Sequence, residues 1–262
     1  MKMFAIFFSL LGRKVQNFFK EFGRLFILTI QIIKYFPRLF KNKRLVLEQM
    51  AIIGADSLPL VLLIGAFTGA IAALQATTLF DKFNMMDLAK PFLGASIATV
   101  VFQELTPVLT ALVIAGRVGG AMAAQIGSMA VTEQIDALEM MAIDKNRYLG
   151  MPRVLAALLM MPLLAIFSSV IALLGAFIMV IAKFDFTVEL YFESIQNFFS
   201  TPEVLICLAK SAIFGGITAI IGVYVGFYTT GGAEGVGKST VKSFTISAAV
   251  ILILDAIFGF IL

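Results

Sequence analysis

The sequence contains no histidine, no tryptophan and a single cysteine among its 262 residues. Without histidine, the chain lacks the usual general base and the commonest metal ligand at neutral pH. A single cysteine, Cys207, cannot form a disulfide within the chain and leaves no Cys/His metal site. We therefore expect no metal site, and we expect Cys207 to be an ordinary buried thiol, with a cross-link between two copies as the alternative.

Charged residues are also scarce, at 14% of the chain, whereas a typical soluble domain has about 25%. Hydrophobic residues make up 60% of the sequence, and the mean hydropathy is +1.01. A chain with this balance presents apolar surface on most of its sides. The composition therefore predicts an integral membrane protein.

Five segments are long and apolar enough to cross a bilayer, which takes about 20 residues of helix. They are residues 57–80, 91–116, 154–182, 204–230 and 243–262. The predicted fold class is an all-α integral membrane protein with one domain of five transmembrane helices over residues 51–262.

Residues 1–50 form a separate, basic region that is too charged to span the membrane. They hold ten of the twenty lysines and arginines, so the positive-inside rule predicts a cytoplasmic N-terminus. Five crossings then place the C-terminus on the outer side of the membrane. Apolar residues recur here at helical spacing with basic residues between them, which favours an amphipathic helix in the membrane interface: Phe18, Phe22, Leu25, Phe26, Ile30, Ile33 and Phe36. The alternative is a basic extension that only touches lipid.

The connection between the second and third spans, residues 117–153, changes character along its length. Its first half, RVGGAMAAQIGSMA, is rich in small residues and uncharged after Arg117, which suits close helix packing in the membrane. Its second half, TEQIDALEMMAIDKNR, predicts a short cytosolic helix over 132–144 capped by Thr132. An apolar face and an acidic face are expected, formed by Ile135, Leu138 and Met141 and by Glu133, Asp136 and Glu139.

This short helix has two interpretations. Its acidic groups could bind a soluble partner on the cytosolic side, or it could be a solvated linker with no partner.

Two segments resemble a known family. ELTPVLTALVIAGRVGGAMAAQIGSMAVTEQIDALEMMAIDKNRYLGMPRVLA, from Glu104 to Ala156, is similar to the signature region of permease subunits of Mla-type ABC phospholipid transporters of the bacterial inner membrane. TTGGAEGVGKSTVKS, from Thr229 to Ser243, resembles a second segment of the same family. The order and number of spans agree as well, so the resemblance covers nearly all of the chain after the N-terminal helix.

The resemblance implies a mechanism and partners. The family works as a homodimer that docks on an ABC-type ATPase subunit and an outer, MCE-domain lipid carrier; no nucleic acid is involved. ATP and Mg²⁺ would bind the partner ATPase, leaving this chain without a cofactor of its own. The docking role falls on a coupling helix formed by Glu133, Gln134, Ile135, Asp136, Ala137, Leu138, Glu139 and Met140, and the lipid pocket falls around Gln75, Leu79, Phe80 and Phe83.

The sequence departs from the family pattern at two positions. An arginine is common just before Glu104, where this chain has Gln103, and a glutamate is common where it has Gln125. An ion pair built from either position is therefore not expected here.

Glu104 lies within a predicted span, where a carboxylate is costly and needs a partner or a proton. Arg117 lies roughly 20 Å further along the same helix at 1.5 Å per residue, so it cannot be that partner within one straight helix. We expect a contact from another helix or from a second protomer, with Glu104 and Arg117 as polar residues of a dimer seam. A part in the transport motion and a proton relay remain open as alternatives. Asp255 and Lys210 are expected to reach from span ends toward polar groups.

The stretch GGAEGVGKST, residues 231–240, matches the Walker A pattern of ATP-binding loops. Such a loop must follow a strand in a soluble α/β domain, but this stretch lies between two predicted spans. We therefore expect a tight cytosolic connection and no ATPase activity in this chain. The remaining functional alternative is an ion-coupled secondary transporter that uses Glu104 and Asp255, although no inverted repeat supports it.

Overall fold

The structure is a computed structural model that describes residues 2–37, 42–183 and 186–261. Side chains are described throughout these ranges except at 2–15, Asn17, Phe18 and Asp87. The predicted membrane contact of Phe18 and the predicted end of the last span at Leu262 therefore lie outside the described residues.

The described chain folds into helices joined by short turns. The helices are α1 (Lys2–Ile33), α2 (Lys43–Lys82), α3 (Met86–Ala89), α4 (Leu93–Val131), α5 (Gln134–Met140), α6 (Asn146–Lys183), α7 (Val188–Phe198), α8 (Thr201–Phe227) and α9 (Gly232–Ile261). Five of them, α2, α4, α6, α8 and α9, are long and apolar enough to cross a membrane. The prediction of an all-helical chain with five such helices is confirmed.

The helices extend beyond the apolar segments from which the spans were predicted. The second span was expected to end at 116, but α4 continues to Val131. The residues between are mostly small and, apart from Arg117, uncharged, and none of them is proline, so nothing in them breaks the helix. The apolar stretch marks the part of a helix that suits lipid, and its ends do not mark where the helix ends.

The most extensive helix contact in the bundle is between α2 and α6, which pass each other along small side chains. Gly65 faces Ser168, and Gly69 faces Ala172. A Cβ built at Gly69 would overlap the carbonyl oxygen of Ala172, so only glycine lets the two backbones approach this closely.

Replacing Gly69 with leucine is expected to lower the free energy of unfolding by about 3 kcal/mol or more, because the obstructing atoms belong to the rigid backbone of α6. The single buried cysteine provides the assay, since a thiol-reactive dye labels Cys207 only when the detergent-solubilised chain opens. Gly237→Ala is the matched control, because a Cβ there meets no atom within 4 Å. Equal unfolding midpoints for Gly69→Leu and Gly237→Ala would contradict the assigned packing.

The two ends of the bundle carry different short helices. At one end, α5 packs on the end of α4 and pairs through Glu139 with Lys145 at the turn into α6, and the first part of α2 lies beside α6, where Gly54 packs on Met160. At the other end, α7 packs on the start of α4, and the backbone N–H of Ala95 donates to Ser194 Oγ at 3.1 Å. We call these the α5 end and the α7 end.

Helix α1 lies against the α5 end by one narrow face. Leu28 and Ile32 are buried, and the Gln31 amide oxygen accepts a 3.0 Å hydrogen bond from Asn146 at the start of α6. Phe22 and Phe26 are exposed on the opposite side. An amphipathic helix is thus present, and its placement in the membrane interface stays a prediction.

Four turns of the long helices are π-helical, at Ala51–Ala55, Val101–Leu105, Ala115–Gly119 and Asn146–Gly150. Single π-turns are rare, and they occur frequently at functional sites because the extra residue changes where side chains point. Glu104 and Arg117, the polar residues singled out in the second span, each lie in one of them.

Candidate functional site

Lys210 joins three helices through a buried cluster of charges. Its side chain on α8 is only 1% exposed. Its ammonium group lies 2.8 Å from Asp255 of α9 and 3.2 Å from Glu104 of α4, and it donates to the carbonyl oxygen of Gln103 at 2.8 Å. Two of these contacts are hydrogen bonds, to Gln103 and to the Glu104 carboxylate, and the contact with Asp255 Oδ1 is an ion pair without hydrogen-bond geometry.

Pro107 explains why a backbone oxygen is available to this lysine. A proline inside a helix has no N–H for the carbonyl four residues earlier, and its ring pushes that carbonyl aside. The carbonyl four residues before Pro107 is that of Gln103, and the π-turn Val101–Leu105 contains it. Lys210 thus takes the hydrogen bond that the helix cannot make.

The partner of Glu104 comes from another helix of the same chain. Sequence reasoning left a second protomer as an alternative and treated Lys210 and Asp255 separately, as residues near span ends. The proline four residues after Gln103 was the available signal, but it does not say which helix supplies the donor. Glu104 remains 45% exposed in the single chain, so its place at a dimer seam stays a prediction.

Arg117 does not join the Lys210 cluster. Its guanidinium donates to Ser57 Oγ, which lies just beyond the π-turn of α2. The bond connects α4 to α2 near the α5 end. The two polar residues grouped by sequence reasoning therefore lie in different places.

Helix α5 has one buried and one open face. Ile135 is buried and Leu138 packs partly against the core, whereas Asp136 and Glu139 are exposed. Glu139 pairs with Lys145 at 2.8 Å across the turn into α6. The open face therefore presents carboxylates beside an anchored apolar face.

Two details of this helix were predicted wrongly. Thr132 does not cap it, because its hydroxyl donates back to the Ser128 carbonyl of α4. Glu133 instead precedes the helix with a φ of 60°, in the left-handed region. Met141 is exposed and not on the buried face, because the helix ends at Met140 and the chain turns away through Ala142, whose φ is 58°.

The residues assigned to a lipid pocket lie at the last turns of α2. Gln75, Leu79 and Phe83 are exposed, and Phe80 packs partly against the core. The exposed apolar residues Phe67 and Ile71 continue the same stripe. Within one chain this stripe is an open surface, so enclosing a lipid requires a second surface.

The Walker-like stretch is part of a helix and not a phosphate-binding loop. The chain turns at Gly231 and Gly232, with φ of 92° and 65°, and α9 begins at Gly232. The connection is therefore shorter than the predicted 231–242. Lys238 forms an exposed ion pair with Glu234 one turn earlier, at 2.6 Å. The lysine that would bind a phosphate in a Walker A loop is therefore paired with a carboxylate here.

Comparison with known proteins agrees with this architecture. Residues 46–261 match the family described as Permease MlaE. A probable ABC transporter permease protein of Synechocystis is 39% identical over 90% of this chain and 88% of its own length. A probable ABC transporter permease protein of Rickettsia prowazekii is 40% identical over 87% of this chain and 85% of its own length.

A third relative carries a more specific name. The intermembrane phospholipid transport system permease protein MlaE of Haemophilus influenzae is 32% identical over 97% of each chain. The match therefore extends over α1 as well as the five long helices. Together, the five-helix bundle and these similarities show that the chain belongs to the MlaE family of ABC transporter permeases.

Proposed function

We propose that this chain is the membrane subunit of an ABC transporter that moves phospholipid between the bacterial inner membrane and a periplasmic MCE-type carrier. The family membership and the name of the Haemophilus relative support the phospholipid substrate. In this proposal two copies of the chain form a homodimer, and the exposed stripes around Leu79 and Phe83 of the two copies enclose the lipid. The N-terminus is cytoplasmic and the C-terminus periplasmic.

The proposal rests on the two faces of α5, one anchored on the bundle and one open. Its apolar face is anchored on the bundle by Ile135 and Leu138, and its acidic face is open. Such a helix is suited to bind a soluble subunit and to pass a displacement to the helices that flank it. ATP and Mg²⁺ bind that partner subunit in this mechanism.

A displacement of α5 can be passed along α4 toward the proposed lipid pocket. Helix α5 follows α4 after a two-residue turn, and α4 runs from there to the Lys210 cluster near its other end. A movement of α5 on ATP binding therefore shifts α4 against α8 and α9, where Lys210 holds them together. In our proposal this shift narrows the lipid pocket and changes its affinity for phospholipid.

An ion-coupled transporter is the second candidate. It would use Glu104 and Asp255 as carriers of protons or cations. Both carboxylates lie within 3.2 Å of the Lys210 ammonium group, so each is already engaged in an ion pair with a cation that the chain itself supplies. The geometry therefore favours a structural and mechanical role for the cluster.

The proposal predicts which molecules remain bound after gentle isolation. The tagged chain, purified from its own cell in a mild detergent, is expected to retain an ABC-type ATPase, an MCE-domain protein and phospholipid. Mass spectrometry of the purified complex measures all three. A lone homodimer with bound ions and no ATPase would favour the secondary transporter.

A further inference from the structure

A second polar site lies at the α5 end of the bundle, far from the proposed lipid pocket. A cavity of about 150 Å³ separates the first turns of α2 from the last part of α4. Gln49 on one wall is 26 residues before Gln75, or roughly 40 Å along α2 at 1.5 Å per residue. The cavity is therefore not part of the pocket around Leu79 and Phe83.

The lining of this cavity donates hydrogen bonds but offers no negative charge. Eight described residues line it; the polar ones are Gln49, Arg117 and Gln125, and none is acidic. A guanidinium has five N–H donors. Within the described part of the chain, Arg117 uses its guanidinium in one hydrogen bond, to Ser57.

A second arginine, Arg153, adds positive charge next to Gln125 of the cavity lining. Arg153 is only 8% exposed, and it donates to the Leu149 carbonyl at 2.9 Å and to Gln125 Oε1 at 3.4 Å. Its Nε is buried and makes no hydrogen bond to a described residue. Because Gln125 presents its oxygen to Arg153, its amide N–H₂ is the group left for the cavity.

Neither arginine has a carboxylate partner among the described residues. Asp56, next to Ser57, is exposed and forms no ion pair with Arg117. Buried or half-buried charges are normally compensated, since an uncompensated charge in low dielectric is strongly unfavourable. Two uncompensated cations beside an open cavity indicate an anion that this chain does not itself supply.

Size and surroundings narrow the choice of anion. The cavity is well above the roughly 10–15 Å³ needed for one water and below the roughly 300–1,000 Å³ of pockets for whole drug-sized ligands. A phosphate group therefore fits better than an entire lipid. Ile52 and Ala121 are exposed at the rim, and Leu60 and Leu63 continue an apolar surface along α2 that acyl chains can follow.

We propose that the Arg117 cavity binds the phosphate of a phospholipid headgroup in the membrane leaflet at the α5 end. The ligand docks with its phosphate on Arg117 and the Gln49 and Gln125 amides, and its chains lie outside the bundle. This goes beyond the proposed function, because the site is separate from the transport pocket and its occupancy requires neither ATP nor transport.

The test compares affinities of the full-length chain in a detergent without phosphate. Dioctanoyl phosphatidylglycerol and inorganic phosphate are titrated separately, and the rise of the unfolding midpoint is followed by the Cys207 dye assay. We expect the short lipid to stabilise the wild-type chain and Arg117→Gln to weaken this response by about tenfold or more, the loss typical of a charged hydrogen-bonding group. Lys238→Gln, which removes an exposed charge far from the cavity lining, should respond as the wild type does.

A second variant keeps the test decisive if Arg117→Gln does not fold. Gln125→Glu places a carboxylate between Arg153 and the cavity, so the chain should fold at least as well and yet lose the response to the lipid. An unchanged response in both variants overturns the site, as would be the case if a side chain of a second protomer fills the cavity. Equal stabilisation by inorganic phosphate and by the lipid would assign the site to free phosphate and overturn the headgroup proposal.

Discussion

Replacing Lys210 with methionine is expected to lower the free energy of unfolding by about 3–5 kcal/mol, the usual effect of removing one partner from a buried ion pair. The change leaves the carboxylates of Glu104 and Asp255 without their shared cation. Asp255 is only 19% exposed, so water compensates little of the loss. The unfolding midpoint of the detergent-solubilised chain, followed by labelling of Cys207, measures the effect.

The control for this variant is Lys238→Met. Lys238 is exposed, and its ion-pair partner among the described residues is the exposed Glu234, so its loss should change stability by less than about 0.5 kcal/mol. Similar midpoints for the two methionine variants would contradict the cluster as described.

A triple variant separates the structural role of the cluster from a role in transport. Lys210→Met combined with Glu104→Gln and Asp255→Asn removes all three charges and should recover most of the lost stability, because no unpaired charge remains. Recovery of stability without recovery of transport would assign the charges to the transport motion. Recovery of both would assign the cluster to packing alone.

Reversing the charge of α5, with Asp136→Lys and Glu139→Lys, is expected to reduce ATP-dependent lipid transfer at least about tenfold while the fold is kept. Both side chains are exposed, and the anchoring residues Ile135 and Leu138 are untouched. Oppositely charged groups across an interface steer and position a partner, and like charges disfavour it by several kcal/mol. The ATPase rate and the lipid transfer rate of the reconstituted complex should therefore become uncoupled.

The matched control reverses two other exposed carboxylates, with Glu21→Lys and Glu234→Lys. These residues lie outside α5, on α1 and at the start of α9. The control should retain coupling. Normal lipid-stimulated turnover in the Asp136→Lys, Glu139→Lys variant would refute the coupling role of α5.

The fold class was readable from sequence because it depends on composition and length. Five apolar runs determine the number of membrane-spanning helices whatever their neighbours. The change of pattern at Thr132 predicted a short helix over 132–144, and the structure has one over Gln134–Met140. Helix ends were less predictable. Polar side chains do not end a helix by themselves, so α4 passes Arg117 and α9 begins well before Ser243.

The polar site was less predictable than the fold because it depends on long-range contacts. Lys210 lies more than a hundred residues after Glu104 and more than forty residues before Asp255. Only the packing of α4, α8 and α9 brings the three side chains together. The Thr132 cap failed for a local reason, since a threonine hydroxyl can instead bond back to the preceding helix, as it does to Ser128. The π-turns that set where the side chains of Glu104 and Arg117 point cannot be recognised from the spacing of apolar residues in the sequence.

The central claim is that ATP hydrolysis by a separate subunit drives phospholipid through this chain. The direct measurement is transfer of labelled phospholipid between proteoliposomes, which contain the chain with its co-purified ATPase, and the lipid carrier, with and without ATP. We expect transfer to require ATP and to persist when the proton gradient is dissipated. Transfer that follows an imposed proton or ion gradient and ignores ATP would contradict the account.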